Sequence, residues 1–193
     1  MDLRKKILAL RDGLSPSQIE EYSNKILENL RQLRPYRECK LPLFFHSFRS
    51  EVNTLSEIKR RISDKEQIAL PRTLVKEKRL LCYKITSLDQ LRPGAFSIME
   101  PDPDKCTRID PAHLDVVIVP GSVFDRQGGR FGYGGGFYDR FLSNEAPRAI
   151  RIGLAFSLQV LDNSLPVKPH DQFMDYIITE KETIICNGSQ RKR

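Results

Sequence analysis

Two arginines and a carboxylate frame the densest run of glycine in this 193-residue chain, Gly128-Gly129-Arg130-Phe131-Gly132-Tyr133-Gly134-Gly135-Gly136-Phe137-Tyr138-Asp139-Arg140. Seven of the 11 glycines fall between Val119 and Phe137. Glycine loses more freedom on folding than any other residue, so this density needs a local reason. A loop whose amides turn toward an anion supplies one. Arg130 and Arg140 add positive charge, and Asp139 offers an oxygen ligand to a metal. As residue types at that spacing, these point to the binding of an anion beside a metal.

Two familiar phosphate loops are excluded. The P-loop needs Gly-Lys-Ser/Thr at its end, and no lysine occurs between Lys105 and Lys168. The dinucleotide fingerprint needs a third glycine three residues after the second; that slot holds Phe137 or Asp139, depending on where counting starts. A bare connecting turn requires one or two glycines and no arginine pair. Asp139, near the start of the next helix, also suits the helix dipole, an effect of about 0.3–1 kcal/mol.

The elements around the loop follow from apolar spacing. Leu3, Ile7, Leu8 and Leu10 predict a short amphipathic helix with a basic face at Arg4, Lys5 and Lys6. Ser15-Pro16-Ser17-Gln18 predicts a helix start with Ser15 as N-cap and Gln18 closing a capping box; Pro35 lies beyond its end. Thr54-Leu55-Ser56-Glu57 predicts a second capping box, opening a helix that buries Leu55, Ile58 and Ile62. Strands are expected at 41–45, with Pro42 near an edge, and at 67–70, 80–85, 116–119, 150–156, 176–179 and 183–186. Between Thr86 and Asp115 the chain is rich in turns. Strands alternating with helices, and the continuous apolar run Val116–Val119, predict an α/β fold: one domain over 1–186, its largely parallel sheet flanked by helices. Residues 187–193 read as a basic, disordered tail. Ligands of such sheets collect beyond the carboxyl ends of the strands, where both the glycine loop and Phe48–Asn53 fall.

Bulk composition narrows the partners. At 39% hydrophobic and 30% charged, the chain reads as globular. It has no run of roughly 20 apolar residues to cross a bilayer and no secretion signal at its start, so the expectation is a cytoplasmic protein without a membrane partner. The net charge of +7 includes Arg191, Lys192 and Arg193 of the tail, and the remainder is interleaved with acids. A small anionic substrate accounts for that as well as RNA does, and no aromatic-rich basic stripe supports a nucleic-acid partner. Cys39, Cys82, Cys106 and Cys186 show no zinc or dithiol spacing and read as free thiols of a reducing compartment.

Pro120-Gly121-Ser122-Val123-Phe124-Asp125, followed by Gly129 to Arg140, resembles the signature of the 5-formyltetrahydrofolate cyclo-ligase (5,10-methenyltetrahydrofolate synthetase) family. Leu3-Arg4 with Arg11–Ser15, Ser50–Thr54, Leu70-Pro71-Arg72, Ile98–Pro101, Pro169-His170-Asp171 and Ile178-Thr179-Glu180 extend the resemblance over nearly the whole chain. It implies a fold similar to the ribose-phosphate isomerase and acyl-CoA transferase group. It also implies an ATP- and Mg²⁺-dependent closure of 5-formyltetrahydrofolate to 5,10-methenyltetrahydrofolate by a monomer.

By the same resemblance, ATP is held by Arg4, Lys5, Arg130, Phe131, Gly132, Tyr133, Gly134, Gly135, Gly136, Phe137 and Tyr138. Arg130, Tyr138 and Arg140 serve catalysis, and Asp139 and Asp171 hold Mg²⁺. His46 and Glu51 face the folate. Many family members carry lysine where this chain has Gly135, and tyrosine where it has Phe137. Arg72 and Glu100 are candidates by position only. Two other classes remain open on the residues alone: an isomerase or CoA transferase needing no ATP, and an RNA-binding module.

Overall fold

The computed structural model describes residues 2–166 and 168–186, so the tail expected at 187–193 lies outside the described residues. Eight strands build the main sheet: β1 (Pro42–Leu43), β2 (Ala69–Leu74), β3 (Arg79–Lys84), β4 (Thr107–Ile109), β5 (Val116–Val119), β6 (Ile150–Leu154), β7 (Tyr176–Ile178) and β8 (Thr183–Ile185). Their spatial order is β8-β7-β6-β5-β1-β2-β3-β4. The inner five run parallel, in registers such as Leu43↔Val117 and Ile152↔Ile118. Antiparallel β8 closes one edge, and β3 with β4 the other. The sheet is therefore parallel where it is buried, as the all-apolar Val116–Val119 run predicts.

Alternation along β5 divides the core. Val117 and Val119 pack on one face with Phe141 and Leu142 of α4 (Phe137–Asn144). Val116 and Ile118 pack on the other with Ile26, Leu27 and Leu30 of α2 (Pro16–Gln32) and Ile58 of α3 (Leu55–Ser63). Successive side chains of a strand point to opposite faces, so one strand serves both layers. A third cluster joins Ile7 of α1 (Leu3–Asp12) to Val123 and Leu165.

Helix starts follow local chemistry. At α2 both halves of the expected box form: Ser15 Oγ accepts from Gln18 N, and Gln18 Oε1 accepts from Ser15 N. At α3 the box does not form. Thr54 Oγ1 instead donates to Phe45 O at 2.7 Å, tying the helix to the end of β1, and Asn53 Oδ1 caps Leu55 N. Glu57 is thereby released from a capping role. It lies fully buried beneath Arg31, Arg60 and Tyr36, while Leu55 is only partly covered.

Pro42 does not mark an edge: β1 sits between β5 and β2. The proline is tolerated because it is the strand's first residue. The neighbouring amides of Lys40 and Leu41 bond to Asp115 Oδ2, and Phe44 N takes up the ladder to Ala69 O.

The glycine loop does not run directly from β5 into a helix. Between them lie two short strands, Val123–Asp125 and Arg130–Phe131, which form a small sheet with Val160–Leu161. Buried Asp125 pins the turn joining them: its Oδ1 accepts from Gln127 N and Gly129 N, and its Oδ2 from Leu165 N. Gly128 holds φ +98° in that turn, and a Cβ there would meet Met174 O at 2.5 Å. Gly128→Ala is expected to cost on the order of 2–3 kcal/mol by forcing both strain and a backbone clash. An unchanged urea midpoint would show that the turn has no such constraint.

Candidate active site

The loop from Gly132 to Gly136 lies beyond the carboxyl end of β5 and feeds α4, whose N-cap Gly136 sits in the left-handed region at φ 62°. That conformation strains any residue carrying a Cβ. With no side chain to cap the helix, its first amides are open to an external acceptor.

Arg130 is 5% exposed and turns under the loop. Its Nη2 donates to Asp139 Oδ1 at 2.8 Å and its Nη1 to Pro120 O at 3.4 Å, while Nε is buried without a hydrogen-bond partner among the described residues. Asp139 Oδ1 also accepts from Gln172 N at 3.1 Å. This bond brings the Asp171–Gln172 segment, whose site membership strand order alone does not establish, against the Asp139 carboxylate. Asp171 Oδ2 accepts from Lys168 N, and its Oδ1 lies 3.6 Å from His170 Nε2.

Arg140 is exposed and braces the loop from behind, donating to Gly135 O and to Lys78 O of the β2–β3 hairpin and packing against the Phe137 ring. Arg4 comes from α1, its guanidinium 5.6 Å from the centre of the Phe131 ring and its Nη1 3.6 Å from where a Gly134 Cβ would stand. Its Nε is buried without a hydrogen-bond partner among the described residues. Lys5 is exposed, and its side chain makes no hydrogen bond or ion pair among the described residues.

Glu51 meets the loop at Tyr133. Its Oε2 accepts from Phe48 N at 2.9 Å and its Oε1 from the Tyr133 hydroxyl at 2.6 Å. Burial raises its pKa above the ordinary 4.5, against the hydrogen bonds from Tyr133 and Phe48 and the charge of Arg11. Tyr133 Oη in turn accepts from Arg11 Nη1 at 2.8 Å. His46 follows β1 and is half-buried, with Nδ1 3.2 Å from Ser47 O; burial lowers its pKa from the ordinary imidazole value, against that bond to Ser47.

Burial likewise raises the pKa of Tyr138; Glu51, Cys82 and Glu100 add to the shift, and Arg130 opposes it. These groups share one neighbourhood, and the Tyr138 hydroxyl keeps its proton. Glu100, buried and bonded to Thr73 N, lines an open cavity of about 450 Å³ with Arg72, Arg92 and Gly94. Arg72 and Glu100, distinguished in the sequence only by position, are thus brought to one cleft. A second recess, lined by Lys40, Arg108 and His113, lies at the opposite ends of the strands and holds no candidate site residue.

Arg11 was not among the sequence candidates. Its signal was present, because it falls on the same helix face as Arg4 and Ile7, at i+7 and i+4.

No group of three or more His, Cys, Asp or Glu able to hold a metal occurs among the described residues. Mg²⁺ does not need one: it is commonly held by one or two carboxylates, with phosphate oxygens and water completing the shell. Asp139 and Asp171 fit that pattern. Arg130 and Gln172 occupy only Oδ1 of Asp139, and among the described residues no hydrogen bond falls on its Oδ2.

No helix among the described residues is long and apolar enough to cross a membrane. The chain is 30% identical to the mitochondrial 5-formyltetrahydrofolate cyclo-ligase of Arabidopsis thaliana, covering 92% of this chain and 71% of that protein. It is 29% identical to the Saccharomyces cerevisiae 5-formyltetrahydrofolate cyclo-ligase, covering 91% and 92%. An NMR structure of the Aquifex aeolicus 5,10-methenyltetrahydrofolate synthetase superposes with a TM-score of 0.85 at 30% identity, over 100% of this chain and 95% of that one. The 5-formyltetrahydrofolate cyclo-ligase family model matches residues 1–180. Sheet order, glycine loop and whole-length similarity agree: the chain belongs to the 5-formyltetrahydrofolate cyclo-ligase family, and is a ligase.

Proposed function

We propose that this enzyme converts 5-formyltetrahydrofolate and ATP to 5,10-methenyltetrahydrofolate, ADP and phosphate. The formyl oxygen attacks the γ-phosphorus, the bond to ADP breaks, and an imino-phosphate forms. Nitrogen 10 then adds to the former formyl carbon and gives up its proton, and phosphate departs carrying the former formyl oxygen, leaving the new carbon–nitrogen bond in the methenyl bridge.

The observation that carries this reading is that two sets of groups meet at one glycine loop. Arg4, Arg130 and the open amides of α4 offer positive charge to a triphosphate. Glu51, Tyr138 and the Glu100 cleft offer hydrogen-bonding groups to a folate ring. Phosphoryl transfer is accelerated mainly by positioning and charge neutralisation, and this set provides both without a covalent protein nucleophile.

In this reading Arg4, Lys5 and the Arg130–Tyr138 segment bind ATP, and Arg140 keeps the loop in shape. His46 and Glu51 bind the folate, with Tyr138 against the formyl region. Asp139 and Asp171 hold Mg²⁺, which supplies charge neutralisation to the phosphates. The enzyme acts as a monomer, and its four free thiols suit the reducing cytoplasm.

Purified protein with Mg·ATP and 5-formyltetrahydrofolate is expected to form the methenyl absorbance with one ADP per product. No product without ATP is expected. Product without nucleotide would favour an isomerase-like or transferase-like chemistry, and no product from folded protein would refute the assignment.

A further inference from the structure

Among the described residues, Tyr133 is the glycine-loop side chain that hydrogen-bonds to both α1 and the Glu51 segment. Its ring is half exposed, with the Arg11 guanidinium 5.9 Å from its centre. Its hydroxyl accepts from Arg11 Nη1 at 2.8 Å and donates to Glu51 Oε1 at 2.6 Å. Both are bonds to charged groups, the stronger class of hydrogen bond.

Arg11, only 4% exposed, closes the circuit. Its Nε donates to Ser50 Oγ at 3.0 Å, and Ser50 Oγ donates to Asp12 Oδ1. One guanidinium therefore grips the loop through Tyr133 and the neighbour of Glu51 through Ser50. Lysine, a single point charge, does not present two diverging donors in a fixed plane. Around Tyr133 stand Gly132, Gly134, Gly135 and Gly136, the residues with most freedom to lose when a ligand orders them.

We propose that Arg11 and Tyr133 are positioning residues that fasten the nucleotide loop to the folate-side Glu51 segment, so that order in one subsite is transmitted to the other. This rests on the division of subsites given under Proposed function. Its physical content is pre-organisation: a loop already held in shape forfeits less entropy when the triphosphate binds. Glu51, which touches folate in that division, thereby acts on nucleotide affinity from a distance.

The test is a double-mutant cycle on nucleotide affinity with no folate present. Binding of the Mg²⁺ complex of the non-hydrolysable β,γ-imido analogue of ATP is measured by calorimetry for wild type, Tyr133→Phe, Glu51→Ala and the double variant. Each single change is expected to weaken binding about 5–10-fold, and the double variant to bind no more weakly than the worse single one. Arg11→Lys, which keeps the charge, is expected to match Tyr133→Phe. All are compared at matched melting temperature, since general loosening would make the effects multiply. Unchanged affinity in Glu51→Ala, or multiplicative effects in the double variant, overturns the bridge. Those outcomes, alongside normal methenyl formation by wild type, sink the bridge alone. Absence of nucleotide binding by wild type sinks both the bridge and the cyclo-ligase reading.

Discussion

Asp139→Asn is expected to lower kcat by about 10²–10³-fold, the scale of losing one pre-organised charge at a transferring group. The carboxylate stands at a junction. Its Oδ1 takes both the Arg130 guanidinium and the Gln172 amide, and its Oδ2 carries no hydrogen bond among the described residues. Asparagine keeps the shape but not the charge, so Arg130, already carrying an unpartnered Nε, loses its counter-charge in a nearly dry setting. The KM for 5-formyltetrahydrofolate should change little, since no folate-side residue bonds to Asp139. Magnesium titration separates the two roles: partial recovery at high Mg²⁺ marks a lost ligand, whereas no recovery marks a lost ion pair alone. Wild-type kcat in Asp139→Asn would remove the residue from the site.

The largest effect on stability is expected far from that site, at Glu57→Gln. Glu57 is fully buried, with Arg31 at 2.7 Å, Arg60 at 2.9 Å and the buried Tyr36 hydroxyl at 2.7 Å. Removing one partner of a buried ionic cluster typically costs 3–5 kcal/mol. Arg31 and Arg60 side chains are 40% and 32% exposed and can turn to water, so about 3 kcal/mol is expected, or roughly 6–12 °C in Tm for a chain of this size.

The pH dependence has a definite sign. Burial alone would raise the pKa of Glu57; hydrogen bonds from Arg60, Tyr36 and Arg31, together with the charge of Arg31, outweigh it and hold the pKa below 4.5. A depressed carboxylate stabilises above its unfolded pKa and ceases to do so as pH falls through the folded value. The gap between wild type and Glu57→Gln should therefore be full near pH 7 and close below pH 4.5. A constant gap across that range would mean that the charge of Glu57 is not what stabilises the fold.

The parallel core was legible because strands buried on both faces need unbroken apolar runs, and Val116–Val119 is one. The Ser15 box was legible because capping is local chemistry between residues three apart. The Thr54 box carries the same pattern and fails, since Phe45 O, nine residues earlier in the chain, competes for the hydroxyl. Local pattern cannot reveal a partner delivered by the tertiary fold. The small sheet of Val123–Asp125, Arg130–Phe131 and Val160–Leu161 was hidden because strands of two or three residues show no period. Glu57 was expected only as a capping-box partner and Arg61 carried no expectation, yet both lie buried, Glu57 paired with Arg60 and Arg61 with Glu66. Within the site, types and spacing identified the Arg130–Asp139 pair's members, while their bond to each other, the Gln172 contact and the Arg11–Tyr133–Glu51 bridge depend on the folded chain.

The most direct measurement is a crystal structure with the Mg²⁺ complex of a non-hydrolysable ATP analogue. The triphosphate should lie along Gly132–Gly136 over the start of α4, between Arg4 and Arg130, with Mg²⁺ bridging it to Asp139. A triphosphate seated elsewhere, with that loop empty and Asp139 bound only to Arg130 and Gln172, would contradict the account.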